Sequence, residues 1–257
     1  MSASEPSQNT AQQCVLRDTQ AWLQKAVIGL NLCPFAKKVW REGRVRLSVY
    51  GGQSQEEALG QLGQEITRLS RNAQQGTHQS THQSTHQSTH QSTHQSTHQG
   101  ADPVFHQGEL HSIESSHVCA KEEESSTSAN ASAEETTEET TLFILPHLCA
   151  DFWDFLSLVQ AAQRVLKAKH CVGLIQIAHF HPEYQFAHTQ VNDPENYINR
   201  SPYPTLHLLR KEDIEWAALH HPDVSQIYQN NVARLNEMGH AGWAQLGLQV
   251  QGKLPRT

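Results

Sequence analysis

The sequence lacks the short motifs that mark many familiar classes of proteins. It contains no glycine-rich phosphate loop, no GxGxxG or GxSxG motif, and no apolar run long enough to span a membrane. Its five cysteines are widely scattered and form no CxxC pair, which predicts free thiols rather than a disulfide framework. These absences weigh against the common nucleotide-binding and hydrolase classes and against a disulfide scaffold.

Basic charge is also scarce. The 257 residues carry a formal net charge of −7, and the segment 72–141 alone holds ten acidic residues and one basic residue. The remainder is nearly neutral, with 18 basic and 16 acidic residues. It shows neither the basic excess of a nucleic-acid binder nor a polybasic membrane patch, so we expect no partner of either kind. Residues 1–13 lack the pattern of a signal peptide, which predicts a cytoplasmic location.

Apolar residues are few because one long segment contains almost none. The chain is 37% hydrophobic and has a mean hydropathy of −0.61. Between 72 and 141 there are six THQ units, mostly spaced by serine, and a tract of Ser, Thr and Glu ends the segment. Such a stretch cannot bury enough surface to offset the entropy of ordering, so it predicts a disordered insertion. A repeat tolerated in a disordered loop explains its histidines more simply than weak nickel or zinc binding.

The rest of the chain predicts an α/β domain. Alternating or continuous apolar residues predict strands at 45–49, 141–146, 172–178 and 205–209. Apolar stripes at helical spacing predict a first helix capped by Asp18 and later helices at 57–69, 152–169, 213–219 and 223–238. Strand–helix–strand order implies parallel neighbours, and the almost continuously apolar third strand is typical of a central strand.

We therefore expect a small α/β sandwich with a mostly parallel four-stranded sheet flanked by helices. A single domain would comprise 16–71 and 142–240, interrupted by the long disordered insertion at 72–141. Residues 1–15 would form a disordered N-terminal tail and residues 241–257 a C-terminal tail.

Three blocks of the sequence resemble one known family. They are VIGLNLCPFA at 27–36, HPEYQF at 181–186 and NRSPYPTLHLLR at 199–210. Together they resemble the domain of unknown function 1415 family, which is mainly bacterial and whose members generally lack a THQ array. The resemblance covers about 16–71 and 142–240, and it implies domain boundaries but no settled activity.

The last two blocks place many polar residues in one loop between two apolar runs, which predicts a binding site. Arginine presents a planar fork that matches carboxylate or phosphate, so a small anionic ligand is the expected partner. The alternative is that Asn199 and Arg200 only tie down the loop through backbone hydrogen bonds. The candidate ligand-binding residues are Glu183, Tyr184, Asn199, Arg200, Ser201, Tyr203 and Arg210.

Cys33 is the candidate nucleophile or redox thiol. A helical turn predicted to start at Pro34 would place this thiol near a helix N-cap, with Lys37 and Lys38 one turn on, and both features lower a thiol pKa. His181 and His207 are the candidate acid and base residues. The alternative is an inert buried cysteine, because the LNLCPF context is apolar.

A metal site is a further alternative. His179 and His181 would point to one face of an extended strand, and His207 on a neighbouring strand would supply a third nitrogen. Paired cysteines and an HExxH helix are both missing, so we assign no metal ligand and leave the cofactor unknown.

Two classes of function therefore remain open. The first is an enzyme acting on a small anionic metabolite, with Arg200 as clamp and with the catalytic candidates Cys33, His181 and His207. The second is a non-catalytic binding or assembly module in which the same residues are structural. Of the two, we favour the enzyme. It requires that the broken end of the first helix and the loop before the last strand converge on one cleft. The oligomeric state stays open.

Overall fold

The computed structural model describes residues 8–80, 139–220 and 224–249, so most of the expected insertion lies outside the described residues. The strands are β1 (Val45–Val49), β2 (Thr140–Ile144), β3 (Ile175–Phe180) and β4 (Thr205–Arg210). The α-helices are α1 (Gln8–Trp22), α2 (Ala36–Arg41), α3 (Gln55–Ser80), α4 (Phe152–Ala168), α5 (Lys211–His220) and α6 (Ile227–Gln245). A π-helical segment (Leu23–Ile28) continues α1, and 3₁₀ turns cover Pro194–Ile198 and Val224–Gln226. None of the helices in these ranges is both long and apolar enough to cross a membrane.

The four strands form one mixed sheet in the order β1-β2-β4-β3. β1 and β2 are parallel and are joined through α3, whereas β4 runs antiparallel to both β2 and β3. The α/β fold with four strands is confirmed, but the prediction of a mostly parallel sheet is wrong. The physical reason is that β3 and β4 are joined at one end of the sheet without a crossover helix, and such a connection reverses the chain.

The position of β3 also differs from the prediction. It is an edge strand, and only Ile175 and Ile177 on one of its faces are fully buried. The inner positions belong to β2, all of whose residues are buried, and to β4. The prediction of a central strand is wrong, because an apolar run indicates burial but not the number of neighbouring strands.

Helices cover both faces of the sheet. On one face, α3 and α4 pack on a core that includes Phe143, Phe155 and Leu208, and we call this the α3/α4 face. On the other, α1, the π-helical segment and α6 pack on Leu142 and Ile144, and we call this the α1/α6 face. Because successive strand residues point to opposite faces, the face of each strand side chain follows from its position.

The helices extend further than the sequence indicated. α1 begins at Gln8, so Asp18 lies inside the helix rather than at its cap, and residues 8–15 are helical rather than a tail. α6 continues to Gln245, and Trp243 is only 8% exposed. α3 runs to Ser80 and β2 begins at Thr140, so both ends of the expected insertion lie within regular elements.

A buried ion cluster joins α3 to β1. The Glu65 carboxylate accepts a 2.7 Å hydrogen bond from the Ser48 hydroxyl and 3.1 Å bonds from the Nε atoms of Arg46 and Arg68. Burial alone would raise the pKa of Glu65, but the Ser48 hydrogen bond and the two arginine charges together lower it. The ionised carboxylate therefore stabilises the packing of α3 on this edge of the sheet.

Glu65→Gln is expected to lower the free energy of unfolding at neutral pH by about 1–3 kcal/mol, because hydrogen bonds to a charged acceptor are lost. The folded-state pKa of Glu65 is depressed, so its contribution is present above the unfolded value of about 4.5 and is lost as the pH falls through the lower folded value. The variant should therefore lose less stability than the wild type on acidification. Urea unfolding at several pH values measures both effects.

Glu56→Gln is the matched control, because Glu56 is an exposed glutamate on the same helix. An identical pH dependence in the wild type and the Glu65→Gln variant would show that the cluster does not stabilise the fold through its charge.

Candidate functional site

Most of the candidate residues lie in the segment 181–204, which we call the β3–β4 connection. Because Phe180 pairs with Thr205, the connection leaves and re-enters the sheet at the same end. Two polar side chains of this connection, His181 and Asn196, are fully buried. Their hydrogen bonds determine its shape.

His181 lies on the α3/α4 face, between the rings of Phe152 (5.3 Å) and Phe155 (5.0 Å). Its Nδ1 accepts a 3.0 Å hydrogen bond from the Glu183 N–H. The proton of a neutral ring therefore resides on Nε2, which donates to the Cys149 carbonyl at 2.9 Å. Burial lowers the pKa of His181, which favours this neutral form. Both ring nitrogens thus bind backbone, and the imidazole anchors the connection.

Asn196 makes several of the hydrogen bonds that hold the connection together, and it is not among the candidates from the sequence. Its side-chain oxygen accepts hydrogen bonds from the Phe186 N–H (3.0 Å) and the Thr189 hydroxyl (2.7 Å). Its side-chain nitrogen donates to the Gln190 carbonyl at 2.7 Å. One buried amide thus satisfies three groups of a segment whose regular structure is limited to the 3₁₀ turn at Pro194–Ile198. An asparagine between turn residues gives no sequence signal for such a role.

Arg200 is held by the backbone of the same connection. Its Nε donates to the Tyr184 carbonyl at 3.1 Å, and its Nη2 donates to the Val191 carbonyl at 2.6 Å. The guanidinium carbon lies 5.2 Å from the centre of the Tyr197 ring. Burial lowers the pKa of Arg200, but Tyr197 and Glu183 oppose this effect, and a guanidinium remains charged in any case.

Several other candidate residues also stabilise the connection or its contacts. The Tyr184 hydroxyl bonds to the Asn199 side chain, and burial raises the pKa of Tyr184. The Ser201 hydroxyl donates to the Tyr203 carbonyl at 2.6 Å. The Tyr203 hydroxyl donates to the Asp18 carboxylate of α1 at 2.9 Å, which fixes the end of the connection on the α1/α6 face. Glu183 is exposed and contributes its backbone N–H to His181.

The three catalytic candidates do not converge. Cys33 follows Leu32 in the core of the α1/α6 face, whereas the His181 ring lies on the α3/α4 face, so the sheet separates them. α2 begins at Ala36 with Phe35 at its cap, so Cys33 is not a cap residue. Burial raises the pKa of the Cys33 thiol, the opposite of what an activated nucleophile needs.

His207 lies on the α1/α6 face and binds within the sheet. The Thr140 hydroxyl donates to the Leu208 carbonyl at 2.8 Å, so it accepts the 2.6 Å hydrogen bond that His207 Nε2 donates. Burial lowers the pKa of His207 to about 4. His179 contacts Phe155 on the opposite face, so the three histidines do not surround a common point. Within 8–80, 139–220 and 224–249, no three His, Cys, Asp or Glu side chains are grouped to hold a metal ion.

Arg210 lies at the far end of β4 from the connection. It lies five positions beyond Thr205 in β4, which corresponds to roughly 17 Å along a strand. Its Nε and Nη2 donate to the Asp213 carboxylate at 2.6 and 2.9 Å. Arg210 therefore joins β4 to α5, and the structure does not bring it together with Arg200.

A cleft of about 240 Å³ opens beside the connection on the α1/α6 face. Within it, Tyr197 stacks on Trp243 with ring centres 4.2 Å apart, and its hydroxyl bonds to His240 Nδ1 at 2.8 Å. Trp22 and Trp243 are not among the candidates from the sequence, because an apolar stripe on a helix does not show which loop residue its rings contact. We call this the aromatic cleft; it is lined by Trp22, Pro182, Tyr197, Arg200, Ser201, Pro202, Trp243 and Leu248.

Asn196→Ala is expected to lower the free energy of unfolding by about 3 kcal/mol, because it leaves several buried backbone and hydroxyl groups without a partner. Asn192→Ala is the control, since Asn192 is exposed in the same connection, and it should change stability by less than about 0.5 kcal/mol. Urea unfolding measures both. A loss below about 1 kcal/mol for Asn196→Ala would mean that the connection is held by other contacts.

Comparison with known proteins identifies a family. A family model described as "Protein of unknown function (DUF1415)" matches residues 14–111 and 101–245. No curated protein and no solved structure matches the chain. The matched ranges together span most of the sequence, which confirms the family that the sequence resembles. The chain belongs to the DUF1415 family.

Proposed function

We propose that this protein binds a small organic anion in the aromatic cleft. The observation that carries the proposal is that Arg200 is the only charged residue among the eight that line the cleft, and its Nε and Nη2 donate to neutral carbonyl oxygens. A guanidinium held in this way is oriented, and neither carbonyl neutralises its charge. The Glu183 carboxylate also acts on Arg200, but Glu183 does not line the cleft. The surrounding Trp, Tyr, Pro and Leu side chains fit an apolar ligand body.

The volume of the cleft restricts the size of the ligand. An apolar cavity of about 150 Å³ can hold benzene, and pockets for drug-sized ligands have volumes of about 300–1,000 Å³. A cleft of about 240 Å³ therefore suits one ring or a short branched chain with a single carboxylate. One arginine also matches one negative charge. A nucleotide, with its larger body and several charges, does not fit this combination.

The geometry favours the binding module over the enzyme. A Cys33 nucleophile would need a base within hydrogen-bond reach, and His181 lies across the sheet with both ring nitrogens bound to backbone. His207 shares the face of Cys33, but its Nε2 proton is donated to Thr140. The role proposed for the connection is therefore to hold Arg200 at the cleft.

A titration with benzoate and benzamide tests the proposal. The two probes have nearly the same shape, but only benzoate carries a charge. Benzoate should bind at least about tenfold more tightly than benzamide, since a charge-assisted hydrogen bond contributes about 1.5–3 kcal/mol. Amide NMR shifts should locate the bound probe near Tyr197, Arg200 and Trp243.

Arg200→Gln should lower the affinity for benzoate to that for benzamide and leave the affinity for benzamide unchanged. Retained benzamide binding shows that the cleft of the variant is intact. Arg164→Gln is the matched control, because Arg164 is an exposed arginine on α4, on the other side of the sheet. Cys33→Ser should bind benzoate like the wild type. Equal affinity for benzoate and benzamide, or shifts away from the cleft, would contradict the proposal.

A further inference from the structure

The helix α6 is broken at Gly239. This glycine has φ 61° and ψ −172°, a backbone conformation that is almost confined to glycine. A Cβ placed there would meet no atom within 4 Å, so the requirement for glycine comes from the backbone angles rather than from crowding. The chain therefore changes direction at this residue. The two parts of α6 on either side of it are held differently.

The part before Gly239 is fixed in the core. The Leu235 side chain is fully buried, and the Asn231 side-chain nitrogen donates to the Leu32 carbonyl at 2.8 Å. The part after it, residues 240–248, buries only Trp243. We call residues 240–248 the flap, because Trp243 and Leu248 form one wall of the aromatic cleft.

One ring stack and two hydrogen bonds hold the flap against the rest of the molecule, and Leu246 and Leu248 pack, partly buried, on the core of the α1/α6 face. Tyr197 stacks on Trp243 at an interplanar angle of 9°, and the Tyr197 hydroxyl bonds to His240. On the other side, the Lys25 ammonium donates to the Leu246 carbonyl at 2.8 Å. Lys25 and His240 are exposed, so solvent competes for their hydrogen bonds. The flap is thus held by one buried side chain, two partly buried leucines and two exposed hydrogen bonds.

We propose that the flap turns about Gly239 and opens the aromatic cleft for a ligand to enter. Opening releases the Tyr197–Trp243 stack, the two exposed hydrogen bonds and the partial packing of Leu246 and Leu248. Leu235 and Asn231 meanwhile keep the first part of α6 in place. The identity of the entering ligand depends on the proposed binding of an organic anion. The motion itself is inferred from the break at Gly239 and from these contacts. Such local opening requires less free energy than global unfolding of the protein.

Hydrogen–deuterium exchange of the ligand-free protein tests the motion. The hydrogen-bonded amides of 240–248 should exchange at least about tenfold faster than those of 227–238, because local opening requires less free energy than global unfolding. Tyr197→Phe keeps the stack and removes the bond to His240. It should speed exchange in the flap by roughly fivefold, the change that corresponds to one hydrogen bond of ordinary strength.

Tyr228→Phe is the matched control, since it removes a tyrosine hydroxyl from the part of α6 before Gly239 and should leave exchange in the flap unchanged. Gly239→Ala should accelerate flap exchange, because alanine disfavours a φ of 61°. Gly60→Ala, an exposed helical site with open space around its Cβ, is the glycine control and should not accelerate it.

Equal protection of the amides in 227–238 and 240–248 would contradict the proposed motion. The motion would also be contradicted if neither Tyr197→Phe nor Gly239→Ala changed the exchange rate of 240–248. Added benzoate should slow exchange in 240–248. If the flap exchanges rapidly and responds to the variants but not to benzoate, the motion is supported and the proposed ligand is rejected. Benzoate binding to a protein whose two α6 parts exchange alike would retain the binding function and reject the flap.

Discussion

The insertion of β4 between β2 and β3 is the constraint on which the rest of the structure depends. It places β3 and β4 side by side, so their connection turns back across one end of the sheet and has a short 3₁₀ turn, rather than a long helix, to satisfy part of its backbone. Buried backbone groups must still find partners, and here they find them in the side chains of His181, Asn196 and Arg200. Each of these polar residues fixes a different part of the same segment. The polar residues of the connection therefore serve first to satisfy its buried backbone groups.

Function can arise from the same arrangement because the connection lies against the α1/α6 face. Tyr203 ties its end to Asp18, and Tyr197 stacks on Trp243, so the connection, α1 and the end of α6 meet around one cleft. Arg200 is thereby placed among aromatic and proline side chains, where its charge is less screened than at an open surface. A rigid connection and a weakly held flap would give such a cleft both an oriented cation and a route of entry.

The sequence was most informative where periodicity was strong, and its limits follow from physics. The alternation in β1 and the apolar stripe of α4 predicted their positions closely, because both patterns are local. The place of β3 in the sheet depends on which strands lie beside it, and an apolar run carries no such information. Residues 8–15 were missed as helix because they are mostly polar. For the site, residue density located the connection and Arg200, whereas Trp22 and Trp243 join the cleft only through tertiary packing.

The β3–β4 connection is anchored by a neutral His181 ring, which acts as a structural group rather than as an acid or base. Two-bond ¹⁵N correlation NMR of the imidazole, assigned with a His181→Gln variant, measures this state directly. At neutral pH the structure predicts a ring that is protonated on Nε2 only and does not titrate near the ordinary pKa of 6.5, because burial lowers its pKa. A ring protonated on Nδ1, or one that titrates at its ordinary value, would contradict the anchoring role and reopen an acid–base function for this residue.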